Sequence, residues 1–166
     1  MFEPEHIKHL KIKKGLILKA QEILNKVATN NKNVFVHITK GDFNNFLVFG
    51  KQSLLPMDYY HNLIRWFLDN TEKPYFIILS DEPESIKNEF DYFDNKLIVE
   101  HNYGYGVDFA IMKLCEYGIL SASTFSWWGA YFMEKRKLIF YPKYWLGFHS
   151  KEEIPLWSES KLWSCC

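Results

Sequence analysis

Three hydroxyl side chains stand together where one apolar segment of the sequence ends and the next begins. They are Ser123, Thr124 and Ser126. Residues 119–121 before them predict the end of a buried strand, and residues 127–133 after them predict a helix. A strand that turns directly into a helix leaves the first helical N–H groups unpaired, with the positive end of the helix dipole behind them. This turn could bind an anion such as phosphate, with the hydroxyls as further donors.

The same hydroxyl stretch also fits a purely structural role. Ser and Thr are preferred helix caps, and a cap satisfies the same N–H groups that a phosphate would use. The aromatic pair Trp127 and Trp128 is equally ambiguous, since a helix aromatic is more often core than ligand platform. Both interpretations of the stretch stay open on the sequence alone.

The elements around this stretch alternate between strands and helices. Apolar runs predict strands at residues 34–38, 75–79, 97–99, 119–121 and 137–141. Helical periodicity is found in residues 7–28, 58–70, 83–93, 107–117 and 127–133. This order predicts an α/β fold in which a Rossmann-like parallel sheet is flanked by helices. The loop 43–56 is long enough to suggest a function, and the aromatic tail beyond Lys143 is expected to pack back on the domain.

Ligands of such sheets bind beyond the carboxyl ends of the strands. That rule selects residues 37–42, 80–82, 100–108 and 122–126. Donors suited to phosphate are Lys40, the backbone at Gly41 and the three hydroxyls, and the acids are Asp42, Asp81 and Asp108. The sequence has no Gly-x-Gly-x-x-Gly, no P-loop and no Asp-x-Asp motif. The pattern therefore favours a diphosphate held by cationic and hydroxyl donors, with no metal and no cofactor required.

Composition narrows the class of protein. The 166 residues suffice for one domain. The 20 Lys plus Arg balance the 20 Asp plus Glu, so there is no excess of positive charge that would indicate binding to nucleic acid. The three cysteines are too few for a disulfide framework, and Cys115 is expected in the core. No apolar leader or spanning segment is visible. We expect a cytoplasmic protein whose contact with membranes is peripheral at most.

The segment Ser123-Thr124-Phe125-Ser126-Trp127-Trp128-Gly129-Ala130 closely resembles the last motif of the bacterial α-1,2-fucosyltransferases of glycosyltransferase family 11. Residues 37–42, His-Ile-Thr-Lys-Gly-Asp, are similar to the family's His-x-Arg-Arg-x-Asp, and Ser80-Asp81 falls where the family has Ser-Asp-Asp. The resemblance covers about residues 34–142. It implies the C-terminal, GDP-fucose-binding half of a GT-B glycosyltransferase. Residues 1–30 then form an N-terminal helical segment, and 31–166 the donor-nucleotide-binding domain.

The resemblance also implies roles for single residues. The donor nucleotide would be contacted by Lys40, Asp108, Ser123, Thr124, Phe125 and Ser126. Of these, the hydroxyls would meet the pyrophosphate, and Asp108 would accept from the guanine N1–H and amino group. An ordinary helix-start acid is the alternative for Asp108.

The implied reaction is inverting, metal-independent transfer of fucose from GDP-fucose to a galactoside-type oligosaccharide in surface glycan synthesis. Catalytic candidates are His37, Lys40 and Asp42. The general base that takes the acceptor's proton would be His37 or Asp42. His37 could equally be a hydrogen-bonded structural histidine, and Asp42 could pair with Lys40, so the base stays unassigned.

Two departures from the family pattern bear on activity. Thr39 and Lys40 replace the two arginines, so the bidentate clamp on the leaving phosphate is lost. Only the donor-binding half is recognisable, so transfer is expected to need a second chain or domain that completes the cleft. A degenerate GDP-sugar-binding module is therefore the alternative to a fucosyltransferase. A flavodoxin-like protein-binding scaffold is a third class, if the hydroxyl stretch is only a cap.

Overall fold

The protein is described by a computed structural model at residues 11–27, 30–43, 45–100, 103–152 and 164–165. Its strands are β1 (Lys32–Ile38), β2 (Leu47–Val48), β3 (Lys51–Gln52), β4 (Pro74–Ser80), β5 (Lys96–Ile98), β6 (Tyr117–Ile119), β7 (Leu138–Tyr141) and β8 (Ser164–Cys165). Its α-helices are α1 (Lys14–Leu24), α2 (Met57–Asn70), α3 (Pro83–Ile86), α4 (Tyr105–Leu114) and α5 (Thr124–Tyr131). A 3-10 turn at Gly41–Phe43 follows β1, and another at Lys87–Phe90 continues α3.

Six of the strands form one sheet in the order β5-β4-β1-β6-β7-β8, and every pairing in it is parallel. From β1 the chain builds outward through β4 and β5. It then returns through α4 to β6, on the other side of β1, and builds outward again. The strand order thus reverses between β1 and β6, which is the topological switch point of a doubly wound fold. The predicted Rossmann-like parallel sheet is confirmed.

The central strand β1 divides its side chains between two cores. Phe35 faces the core that α1, α4 and α5 complete, whereas Val34 and Val36 face the core that α2 and α3 complete. This alternation follows from the two-residue period of a strand, and it explains why β1 is apolar along most of its length. Both faces of the sheet centre are therefore covered.

A glycine sets the close approach of α5 to α4. A Cβ atom on Gly129 would lie 2.3 Å from Sδ of Met112, which is far inside contact distance. Only a residue without a side chain lets the two helices pack at this separation. Since α4 and α5 begin beside the strand ends, this packing also fixes the relative position of their N-termini.

Most predicted elements are confirmed, with shifts at their ends. The strand predicted at 119–121 is wrong by two residues: β6 covers Tyr117–Ile119, because pairing with both β1 and β7 occurs there. Helix α5 begins at Thr124 and not at Trp127, since Ser123 caps it. Helix α4 begins at Tyr105 instead of 107 and ends at Leu114.

The loop 43–56 was not expected to contain strands, but β2 and β3 form a small antiparallel hairpin in it. Phe49 and Gly50 make its turn, and both have positive φ, 49° and 72°. The helix predicted at 83–93 is divided between α3 and the second 3-10 turn.

The ends of the chain also bear on the predictions. The helix predicted from residue 7 is seen as α1 from Lys14, and residues 7–10 and 28 of that prediction lie outside the described residues. Trp145 in the described part of the tail is buried in the core, as predicted, and so is Cys115. No helix among the described residues is long and apolar enough to cross a bilayer.

Candidate functional site

The loops after β1 and β6 meet at the topological switch point. Nδ1 of His37, near the end of β1, shares a hydrogen bond of 2.7 Å with Oγ of Ser121, two residues past β6. The same Ser121 hydroxyl shares a second bond of 3.1 Å with Oγ1 of Thr39. His37 and Ser121 are both buried. The Ser121 hydroxyl thus links the loops after β1 and β6, which a ligand at the switch point would contact.

The environment of His37 keeps its imidazole neutral at pH 7. Burial lowers the pKa of His37 from 6.5 to about 4, and the negative charge of Asp81 opposes this effect only in part. A neutral imidazole can accept a proton, but a pKa this low makes it a weak base. The hydrogen bond to Ser121 fits the interpretation of His37 as a structural histidine, and the catalytic interpretation stays open.

The three hydroxyls of the stretch face different surroundings. Oγ of Ser123 accepts a hydrogen bond from the Phe125 N–H at 3.3 Å and caps α5. Oγ of Ser126 has no exposed surface and donates to the carbonyls of Ser121 and Ser123, at 3.2 and 2.9 Å. Thr124 is exposed at the first position of the helix. One hydroxyl therefore caps the helix, one shapes the loop and one faces solvent.

An acid at the end of β4 holds the loop that carries Lys40. The carboxylate of Asp81 accepts from the backbone N–H of Lys40 at 2.8 Å and from that of Gly41 at 2.9 Å. A Cβ atom on Gly41 would lie 3.2 Å from Oδ2 of Asp81, so the absence of a side chain lets the carboxylate approach. Two bonds to an ionised acceptor fix the backbone strongly. The Lys40 ammonium lies 3.5 Å from the carbonyl oxygen of Ser85.

The N-terminus of α4 lies against that of α5 through a group of aromatic rings. The Phe125 ring is 5.4 Å from His37, 6.0 Å from Tyr105 and 5.7 Å from Phe109. Asp108 lies in the first turn of α4 between those two rings in sequence, and it is only 6% exposed. Two helix N-termini and a buried acid are thus assembled at the same edge of the sheet.

The predicted site residues are thereby located, with one exception. The side chain of Asp42 lies outside the described part of the structure. His37 lies near the end of β1 and Lys40 follows that strand, whereas Ser123, Thr124, Phe125 and Ser126 follow β6. Asp108 lies in the first turn of the adjacent helix α4. Their roles toward a ligand stay predictions. In the described residues no three His, Cys, Asp or Glu side chains are grouped for a metal ion.

The sequence did not predict how three residues shape this edge. It predicts Ser121 as the end of a strand, it selects Asp81 as an acid at a strand end without naming its partners, and it places Tyr105 before the helix predicted at 107–117. Tyr105 is instead the first residue of α4, with 60% of its surface exposed. The position of Asp81 directly after a buried strand was the signal that selected it, and the structure adds its bonds to the N–H groups of the neighbouring loop.

The doubly wound sheet and its site define a Rossmann-like α/β protein. Residues 2–156 match the family described as "Glycosyl transferase family 11", and the chain belongs to that family. It is a family of glycosyltransferases, so the class of transferase expected from the sequence is confirmed.

Two relatives from Escherichia coli support this assignment. The O-antigen biosynthesis glycosyltransferase WbnK is 30% identical over 140 residues, which are 81% of this chain and 46% of WbnK. An alpha-1,2-colitosyltransferase is 33% identical over 119 residues, which are 69% of this chain and 40% of that protein. The chain thus spans less than half the length of both relatives. No significant match was found among solved structures.

Proposed function

We propose that this chain binds the nucleotide donor of a fucosyltransferase-type reaction, with GDP-fucose as the donor. The diphosphate would lie at the switch point, in front of the N-terminus of α5. Its partners there would be the first N–H groups of α5, the Thr124 hydroxyl and the Lys40 ammonium. The observation that carries this proposal is the Ser121 hydroxyl that joins the loops after β1 and β6, which carry Lys40 and the exposed Thr124, in a chain of family 11.

The hydroxyls of Ser123, Thr124 and Ser126 would have different roles. Ser123 and Ser126 are occupied by bonds within the loop, so they would hold its shape while Thr124 contacts phosphate. Direct contact of Ser123 and Ser126 with the donor stays a prediction.

The guanine base would lie beside the first turn of α4. An ionised carboxylate at Asp108 matches the two adjacent donors on the base, N1–H and the amino group. The exposed ring of Tyr105, three residues earlier on the same helix, offers an aromatic face for stacking. Adenine and uracil lack this pair of donors, so the arrangement would favour guanine.

The transfer step follows from the chemistry of an inverting reaction. An acceptor hydroxyl would attack the anomeric carbon from the face opposite GDP, and the bond from that carbon to the β-phosphate oxygen would break. GDP would leave with the electron pair, stabilised by the positive charge of Lys40. His37 or Asp42 would take the proton of the acceptor, a galactoside-type oligosaccharide.

A non-catalytic GDP-sugar-binding module is the second candidate. Thr39 stands where the resembling motif has arginine, and its hydroxyl is engaged with Ser121 instead of a ligand. A point charge at Lys40 orients a phosphate less than a bidentate guanidinium does. Activity of the whole enzyme, with a second chain or domain, stays part of the proposal.

Calorimetric titration with GDP, GDP-fucose, ADP and UDP tests the donor assignment. The proposal expects heat with the two guanine ligands and at least tenfold weaker binding of ADP and UDP. Asp108→Asn should reduce this preference, and thermal unfolding checks that the variant keeps its fold. Equal affinity for all three diphosphates, or none for GDP, would overturn the donor assignment. Radiolabelled fucose that reaches neither acceptor nor water, despite GDP binding, would favour the module.

A further inference from the structure

The Ser121 hydroxyl lies between two polar side chains and can donate its proton to only one of them. Its Oγ atom is 2.7 Å from Nδ1 of His37 and 3.1 Å from Oγ1 of Thr39. A serine hydroxyl carries one proton and accepts through its lone pairs. If Ser121 donates to His37, Thr39 donates to Ser121, and Nε2 carries the proton of the neutral imidazole. If Nδ1 carries that proton instead, His37 donates to Ser121.

Two features favour the arrangement in which Ser121 donates to His37. The unprotonated nitrogen of a neutral imidazole is far more basic than a hydroxyl oxygen, so it is the stronger acceptor for the serine proton. The 2.7 Å separation is typical of a bond that a hydroxyl donates, whereas bonds donated by N–H groups are centred at about 2.9–3.0 Å. A chain of donors that runs from Thr39 through Ser121 to His37 also strengthens each of its bonds by polarisation.

The surroundings of these side chains preserve the arrangement at neutral pH. His37 is buried, and its pKa of about 4, which the charge of Asp81 raises only in part, leaves the imidazole neutral. Only one of its two nitrogens is therefore protonated at pH 7. Ser121 is 2% exposed, so water does not compete for its proton.

The opposite edge of the imidazole is the part that a ligand could contact. Nδ1 is occupied by Ser121, and Nε2 has no hydrogen-bond partner among the residues that the structure describes. The imidazole lies 5.4 Å from the ring of Phe125, which is in the first turn of α5. The proposed diphosphate lies in front of the same turn. A protonated Nε2 there offers a bound nucleotide a neutral N–H donor.

We propose that Thr39 and Ser121 hold His37 in the tautomer that is protonated on Nε2, so that His37 donates a hydrogen bond to an oxygen atom of the bound nucleotide. The tautomer follows from contacts within the free protein, whereas the contact with the nucleotide rests on the proposed function. His37 is then a hydrogen-bond donor and not the general base, because a protonated Nε2 has no lone pair for the acceptor's proton. Asp42 is the candidate base that remains.

This arrangement gives Thr39 a role that the resemblance to family 11 does not supply. The family motif has arginine at this position, and an arginine could only donate to Ser121 through its guanidinium. Thr39 instead supplies a hydroxyl that directs the Ser121 proton toward His37. Thr39 and Ser121 are thus positioning residues that act through His37.

Long-range ¹H–¹⁵N NMR spectra of the ¹⁵N-labelled full chain at pH 7 test the tautomer, because protonated and unprotonated ring nitrogens differ widely in ¹⁵N shift. The chain has six histidines, and the signals absent from His37→Asn identify those of His37. We expect a protonated Nε2 and an unprotonated Nδ1. The reverse pattern would overturn the proposal.

Variants of the two hydroxyl residues test what fixes the tautomer. Ser121→Ala and Thr39→Val should both raise the share of the form protonated on Nδ1, whereas Ser121→Thr keeps a hydroxyl and should keep the wild-type pattern. Tyr59→Phe is the matched control, since its hydroxyl donates to the carbonyl of Leu120, next to Ser121, at 3.0 Å. It loosens the same loop without removing a bond to His37. An unchanged tautomer in Ser121→Ala, or an equal change in Tyr59→Phe, would overturn the role of Ser121.

Titration with GDP separates this inference from the proposed function. GDP should shift the Nε2 signal of His37 without changing its tautomer, and Ser121→Ala should weaken GDP binding about three- to tenfold. Thermal unfolding checks that the variant keeps its fold. GDP binding that leaves the Nε2 signal in place would overturn the donor role of His37. Absence of GDP binding by the wild type would overturn the proposed function and the nucleotide contact, but not the tautomer.

Discussion

His37 and Ser121 are joined by a 2.7 Å hydrogen bond across the point where the strand order of the sheet reverses. His37 is the next-to-last residue of the central strand, and Ser121 lies two residues past β6 in the loop of the hydroxyl stretch. The bond therefore couples the position of Lys40, three residues after His37, to that of Thr124, three residues after Ser121. The bond of Ser121 to Thr39 and the Asp81 clamp on Lys40 and Gly41 add to this link.

The depressed pKa of His37 predicts a pH dependence of stability. The unfolded chain binds a proton at pH values below 6.5, whereas the folded chain resists protonation down to about 4. The free energy of unfolding should thus fall as the pH is lowered through this window, by about 2 kcal/mol between pH 7 and pH 5. Above pH 6.5 the contribution is fully present.

Thermal unfolding of the wild type and of His37→Asn over this pH range measures the effect. The asparagine keeps a polar atom near Ser121 but does not titrate, so the difference between the two proteins should shrink as the pH falls. Parallel pH profiles would contradict the buried, neutral histidine.

Asp81→Asn is expected to loosen the loop that carries Lys40. An asparagine oxygen can accept one of the two N–H groups that the carboxylate now holds, and its own amide would face the other. We expect a loss of about 1–3 kcal/mol in unfolding free energy and weaker GDP binding. Glu82→Gln, which removes the neighbouring charge, is the control. Equal effects of the two substitutions on GDP affinity would argue for general charge instead of the clamp.

Lys40→Met should weaken GDP binding about tenfold and reduce its dependence on salt, because a cation near a diphosphate acts over distance. Lys40→Arg should retain or improve affinity, since a guanidinium can make two bonds to one phosphate. Lys51→Met in the hairpin serves as the control. If Lys40→Met bound GDP as the wild type does at every salt concentration, Lys40 would have no role in the donor site.

Two glycines in helices should respond in opposite ways to alanine. Gly129→Ala places a methyl against Met112 and should destabilise the fold by about 1–3 kcal/mol. Gly15→Ala in α1 has no atom within 4 Å of the new Cβ and should stabilise by about 0.5–1 kcal/mol. Chemical denaturation of both variants measures this. A neutral Gly129→Ala would contradict a packing of α4 and α5 that requires glycine at this position.

More of the fold than of the site could be predicted from the sequence. Strands such as β1 and β4 were predictable because long apolar runs have few alternative structures. The bounds of β6 were not, because its side chains are apolar beyond the residues that pair, and pairing with β1 and β7 decides where a strand ends. The hairpin of β2 and β3 gave no signal because its strands have two residues each.

The positions of site residues were predictable only to the edge of the sheet. The rule of strand ends selected His37, Lys40 and Ser123 together. It could not show that Ser126 points into the loop or that Ser121 binds His37, because those contacts depend on side-chain rotamers across the switch point.

The location of the nucleotide is tested most directly by amide NMR spectra of the ¹⁵N-labelled chain during titration with GDP. The account predicts that the largest shift changes occur at Lys40, Gly41, Thr124, Phe125 and Ser126, with Asp108 and its neighbours on α4 also affected. GDP binding that shifts amides elsewhere and leaves these unchanged would contradict a donor site at the switch point.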